Sequence, residues 1–182
     1  KRNSWGSPMS ATTEPAREAA AVLAGARLAD HYRRVYDAMR DLPICNPLLD
    51  IEAIGFRPYG DHALGVILTP WFMNLAVCAA GAEELPLRPL GETAHWPLPA
   101  GRVSFIVGRL DGFGRVDSCS LFSPMNDFAD PAAARAVAVA ALDELFNPVS
   151  ADRREAAGRS PAGLDRRSLI FGARRGAANV AP

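Results

Sequence analysis

From Thr13 onward the apolar positions Leu28, Tyr32, Val35 and Met39 recur at steps of four, three and four residues, which places side chains along one stripe of a helix. Thr13 can cap that helix and Pro15 is tolerated in its first turn, so a helix is expected to run from there until just before Pro43. The opposite face carries Arg27, Asp30, Arg33, Arg34 and Asp37, opposite charges three and four residues apart that suit a solvated surface. Arg33-Arg34 is a surface pair on this reading, since no apolar run follows it. After Asp50 the grammar becomes that of strands. Ile51 to Tyr59 mixes apolar and polar positions around Gly55, Gly60-Asp61-His62 supplies a turn, and Ala63 to Thr69 is almost continuously apolar. That last run predicts a strand buried on both faces. Phe72 to Cys78 reads as a third strand, and Val103 to Leu110 and Arg115 to Phe122 as two more joined across Asp111-Gly112-Phe113-Gly114. In the last strand, Arg115, Asp117, Cys119 and Leu121 share one face, opposite Val116, Ser118, Ser120 and Phe122. Gly81 to Gly101, rich in Pro and Gly, is expected to be a long ordered loop around Trp96.

A second helix begins at the cap Asp130 with Pro131 in its first turn, carries the stripe Ala138, Leu142 and Leu145, and stops at Asn147-Pro148. Helix, strand block, helix predicts an α+β fold: an antiparallel sheet of about five strands with an N-terminal and a C-terminal helix packed on it. Residues 1–12, dominated by small and polar types, are expected to be a disordered extension, 13–148 the domain, and 149–182 a flexible tail. The tail holds seven arginines against three acidic residues, so it carries +4 while the rest of the chain carries -4.

Charge over the 182 residues as a whole sums to zero, which removes the simplest argument for a nucleic-acid or membrane-surface protein and leaves only the Arg-rich tail for such a role. No apolar stretch reaches the ~18 residues of a membrane span and no secretion signal is visible, so a cytoplasmic location is expected, without membrane insertion. Cys45, Cys78 and Cys119, sparse and odd in number, form neither a disulfide framework nor a zinc pattern and read as small buried hydrophobes.

The search for catalytic motifs is mostly negative. Phosphate-cradling glycine loops, a GxSxG elbow and HExxH are all missing from the sequence. His31, His62 and His95 fall on the first helix, a turn and a loop; a Cys45–His nucleophile and base pair has no local signature, and Glu83-Glu84 in a Pro-rich loop reads as solvated. No catalytic residue, metal site or cofactor is assigned.

Two segments stand out: Thr69-Pro70-Trp71-Phe72-Met73-Asn74-Leu75 and Ser120-Leu121-Phe122-Ser123-Pro124-Met125. Each sets a proline and large apolar or sulfur-bearing side chains at a strand boundary. Pro70 removes a backbone donor and so belongs at an edge, a bulge or a strand start. Two readings stand. Trp71, Phe72 and Met73 cap the core, the commoner fate of large aromatics, or they form an adaptable apolar docking surface.

Taken in order, these segments resemble the HybE/HupJ family of nickel-iron hydrogenase assembly chaperones. The matching stretches are Cys45-Asn46-Pro47, Leu64 to Met73, Leu98-Pro99-Ala100-Gly101, Val107-Gly108-Arg109-Leu110-Asp111-Gly112, Cys119 to Met125, and Arg166-Arg167-Ser168-Leu169-Ile170-Phe171-Gly172 in the tail. The resemblance implies a non-enzymatic maturation factor that binds hydrogenase precursors, notably the small subunit with its twin-arginine export signal, with the large subunit a second candidate, until assembly is complete. On the docking-surface reading, Pro70, Trp71, Phe72, Met73, Ser123, Pro124, Met125, Arg166 and Arg167 are expected to bind the partner. Some relatives carry an N-terminal rubredoxin domain, but the first forty residues here contain no cysteine, so iron binding is not carried over. Asp111, Asp117 and Asp127 are expected to receive the signal's arginines. The tail's own Arg166-Arg167 followed by Leu169-Ile170-Phe171 either mimics such a signal or is a generic basic extension. The rival functions are a nucleic-acid binder using the tail and an enzyme built on Cys45 or a histidine.

Overall fold

A computed structural model describes residues 13–81 and 84–147. In chain order the elements are α1 (Glu14–Met39), β1 (Glu52–Tyr59), β2 (His62–Leu68), β3 (Met73–Ala79), β4 (Thr93–Leu98), β5 (Gly101–Leu110), β6 (Gly114–Phe122) and α2 (Pro131–Phe146). The six strands form one sheet in the order β1-β2-β3-β6-β5-β4, with antiparallel neighbours throughout. It consists of two three-stranded meanders joined where β3 pairs with β6. The expected α+β architecture is present, with the two helices on opposite faces of the sheet.

The sixth strand is β4, in the stretch expected to be a loop. Alternation decides it: Ala94 and Leu98 are buried and Trp96 partly so, while Thr93, His95 and Pro97 are exposed. Pro97 is compatible because β4 is an edge strand. His62 and His95 accordingly lie on strands, as the first residue of β2 and within β4, rather than in a turn and a loop.

β2 shows why the sheet holds two cores. Leu64, Val66 and Leu68 point to the face covered by α2, while Ala63 and Ile67 point to the face covered by α1. The α2-side core adds Met73, Leu75, Val77, Phe105 and Leu121 from the sheet and Ala134, Ala138, Ala141, Leu142 and Leu145 from the helix. Asp130 caps α2 as expected, its carboxylate accepting from the Ala133 amide at 2.7 Å. Phe122 joins this same core, not the face opposite Leu121, because the β3–β6 register shifts between Met73 and Asn74. Such a bulge resets the alternation of every residue beyond it.

α1 sits unusually close to the sheet. Its buried stripe is Ala21, Ala24, Gly25, Leu28 and Ala29, with Val35 left exposed and Tyr36 turned inward instead. Gly25 and Gly65 leave a slot for the Phe56 ring: a Cβ on Gly25 would lie 2.5 Å from the Phe56 Cγ, and one on Gly65 would lie 2.4 Å from its Cδ2. Phe56 reaches that slot because β1 is irregular between Ile54 and Arg57, where Gly55 adopts a φ of 60° that side chains disfavour. This close seating fixes the last turns of α1 over one end of the sheet.

Candidate functional site

At that end three chain segments meet: residues 40–50 after α1, the β2–β3 connection at 69–72, and residues 123–128 after β6. Tyr32 and Tyr36 of α1 form the roof over the second segment. The Tyr32 and Phe72 rings stand edge to face at 5.2 Å, Tyr36 stacks on Trp71 at 6.4 Å, and Trp71 meets Phe72 at 6.0 Å. Burial pushes the Tyr32 hydroxyl up to about 12, so it stays protonated. Thr69 shapes the turn. Its Oγ1 accepts from the Trp71 and Phe72 amides at 3.3 and 3.0 Å, and its own amide donates to the Phe72 carbonyl at 2.8 Å.

Asn46 joins the segments to one another. Its amide side chain donates to the carbonyls of Met125 at 3.1 Å and Phe128 at 2.8 Å, while its Oδ1 accepts from the Leu48 amide at 3.1 Å. Its backbone N–H donates to the Pro70 carbonyl at 2.8 Å. Ser123 Oγ completes the junction by donating to the Trp71 carbonyl at 3.4 Å. The Ser123–Pro124 peptide is cis.

The segments expected to act together are therefore neighbours, but their side chains divide into floor and rim. Trp71 is 4% exposed and Met73 and Met125 are fully buried, so these three belong to the core, as does Pro70. Phe72 is half-buried, and Ser123 and Pro124 are exposed. The docking-surface reading of the indole and thioether groups gives way to the core reading, because Tyr32 and Tyr36 of α1 cover Trp71 while Met73 and Met125 pack into the α2-side core. Arg166 and Arg167 lie outside the described residues.

The exposed apolar groups at this end are ones the sequence reading missed. Leu42, Ile44 and Leu48 are 42%, 40% and 60% exposed, flanking the anchored Asn46. Exposed prolines 43 and 47 interleave with them, and Asp41, Asp50 and Asp127 stand exposed in the same three segments. The absence of any strong helix or strand pattern from 40 to 50 was the available signal: an apolar run with two prolines and no element to bury it.

Of the other acidic residues expected to receive arginines, Asp111 lies in the β5–β6 turn, beside α1, where Phe113 packs against His31. Asp117 is fully buried and already committed. Both of its oxygens are used by Arg115, at 2.8 and 2.7 Å, and Oδ2 also accepts from the Trp96 indole at 3.0 Å. It cannot serve an incoming cation without abandoning a buried guanidinium.

Chemistry of the bond-breaking kind finds little support. Burial, with a further push from Asp41, raises the Cys45 thiol above its ordinary value, and burial carries Cys78 to about 12. Both shifts oppose the thiolate that a nucleophile requires. Cys45 and Cys119 are half-buried, and only Cys78 is the fully buried residue expected. Among the described residues no three His, Cys, Asp or Glu side chains group closely enough to hold a metal ion. None of the described helices is long and apolar enough to cross a membrane.

Fold and site thus describe an α+β protein whose distinctive feature is an exposed apolar end built from loops. The chain belongs to the family described as "[NiFe]-hydrogenase assembly, chaperone, HybE", whose sequence model matches residues 23–172. It is 45% identical over 162 residues to the hydrogenase expression/formation protein HupJ of Bradyrhizobium diazoefficiens, covering 87% of this chain and 93% of that one. Over 148 residues it is 40% identical to the hydrogenase expression/formation protein HupT of Azotobacter chroococcum, covering 81% and 93%. The solution structure of HybE from Escherichia coli shares the fold, with a TM-score of 0.55 at 23% identity over 68% of this chain and 76% of that one. A role in hydrogenase maturation follows from this membership.

Proposed function

We propose that this chain is a non-enzymatic holding chaperone that keeps a nickel-iron hydrogenase precursor, foremost the small subunit with its twin-arginine signal, until assembly is complete. The observation that carries the reading is the set of exposed Leu42, Ile44 and Leu48 beside half-buried Phe72 and exposed Pro124, on segments that also present Asp41, Asp50 and Asp127. An apolar patch with acidic neighbours suits a segment that pairs an apolar run with arginines, as an export signal does. Binding of this kind needs contact area and desolvation and makes no covalent bond. Arg166 and Arg167 enter the same reading as a mimic of the signal that competes for its site: deleting residues 163–182 should tighten signal-peptide binding, and unchanged or weaker binding rejects the mimicry. The work of holding takes place on the cytoplasmic side, before export.

The test is capture of the small-subunit precursor from cells, with and without its signal peptide, by the intact chain and by the Leu48→Asp variant. Loss of capture by the variant and by the signal-less precursor is the expected result. Equal capture in all four combinations contradicts the proposal.

A further inference from the structure

We infer that Asn46 is the positioning residue of the partner surface: its buried side chain holds residues 40–50 against 123–128, and its backbone amide ties them to 69–72, in the relative arrangement that the precursor recognises. This inference rests on the holding function proposed above. Asn46 is 6% exposed, and every polar atom of its side chain is used, with two donations across to Met125 and Phe128 and one acceptance from Leu48 within its own segment. Its backbone amide ties the same residue to Pro70. The segments it links are not strands of a common ladder, so no run of backbone pairing holds 40–50 against 123–128. A flexible platform would have to order itself on each encounter, losing affinity for every side chain immobilised. A platform already fixed by Asn46 avoids that loss.

The arrangement also explains why asparagine is required. The site asks for two donors toward carbonyl oxygens and one acceptor toward an amide, and the Asn side chain carries both in one plane. Aspartate has nearly the same shape and keeps the acceptor for Leu48, yet it turns an anionic oxygen toward the two carbonyls. Asn46→Asp therefore breaks the side-chain link to 123–128 and spares the local turn and the backbone bond to Pro70.

The experiment measures binding of a fluorescent synthetic peptide of the small-subunit twin-arginine signal to the full chain, to Asn46→Asp and to Leu48→Asp, across a range of pH. Asn46→Asp should bind about tenfold more weakly in mildly alkaline buffer. It should recover toward the intact chain on acidification, when the protonated carboxyl regains one donor. Normalising to the intact chain at each pH removes the contributions of Asp41, Asp50, Asp127 and Cys45. Amide exchange should rise in 123–128 while β2 and β3 stay protected. Binding by Asn46→Asp equal to the intact chain at every pH, with Leu48→Asp impaired, overturns the role of Asn46 and leaves the surface standing. Peptide binding insensitive to Leu48→Asp overturns the surface itself. Should Asn46→Asp fail to fold, Asn46→Ala removes the donors without adding charge; if it folds and binds normally, Asn46 does not position the surface, if it too fails to fold, Asn46 is a folding residue, and either result makes the inference wrong.

Discussion

Two buried polar centres in this protein do different work. Arg115, Asp117 and Trp96 form an ionic centre on the α2 side of the sheet, linking β4 to β6 across the intervening β5. Asn46 forms a neutral one between segments outside the sheet. The strands around the first are already paired with their neighbours along their length, so its bonds add little new constraint on shape. What it imposes is mutual dependence, because each charge is tolerable in the interior only while the other is present. The second centre carries no charge but supplies the side-chain hydrogen bonds that tie residues 40–50 to 123–128. The lesson is that burial alone does not rank polar residues: loss of the first should unfold the protein, and loss of the second should leave it folded and misaligned.

The sharpest way to break this contrast is Asp117→Ala. It strands the Arg115 guanidinium, which is 5% exposed, and should destabilise by about 3–5 kcal/mol in chemical denaturation. The Arg115→Met, Asp117→Leu double variant should recover much of that loss; if it is as unstable as the single variant, the centre acts through something other than its charge. Trp71→Ala should follow closely, at about 3–5 kcal/mol, since it empties a site roofed by Tyr32 and Tyr36. A folded Trp71→Ala protein of normal stability that has lost precursor capture would return the indole to the docking surface. The smallest effect concerns Cys45. With its pKa raised by burial and by Asp41, less of it is thiolate at any given pH, so alkylation near neutrality should be slower than for a free cysteine peptide. The uncharged Asn46→Ala change should accelerate that alkylation by loosening the segment, and Asp117→Ala should not, as long as the latter stays folded; equal acceleration by both removes the distinction drawn here.

The sequence was most readable where one physical demand governed a whole element. Apolar continuity from Ala63 to Thr69 announced a doubly covered strand, and Asp130 with Pro131 announced the start of α2. It was least readable where two demands competed. Around Trp96 the prolines and glycines spoke for a loop while the alternation of Ala94, Trp96 and Leu98 spoke for a strand; the edge position reconciled them, and position in a sheet is not a local property. The same holds at the partner surface. Trp71 and Met125 drew attention by their size, yet large side chains at a strand end are buried when a helix lies above them, and the modest Leu42, Ile44 and Leu48 were left outside. Asn46 could be quoted as part of a motif, but its role appeared only once its partners 79 and 82 residues away were in place.

The central claim is that the end built from residues 40–50, 69–72 and 123–128 is what meets the precursor. Its most direct test is amide hydrogen exchange on the full chain with and without saturating small-subunit precursor. The account predicts new protection in those three segments, strongest from Leu42 to Leu48, with little change along β4 and β5. Protection confined to the β4 edge or to the exposed sheet face around Ser104 and Ile106, with the three segments unchanged, would contradict it.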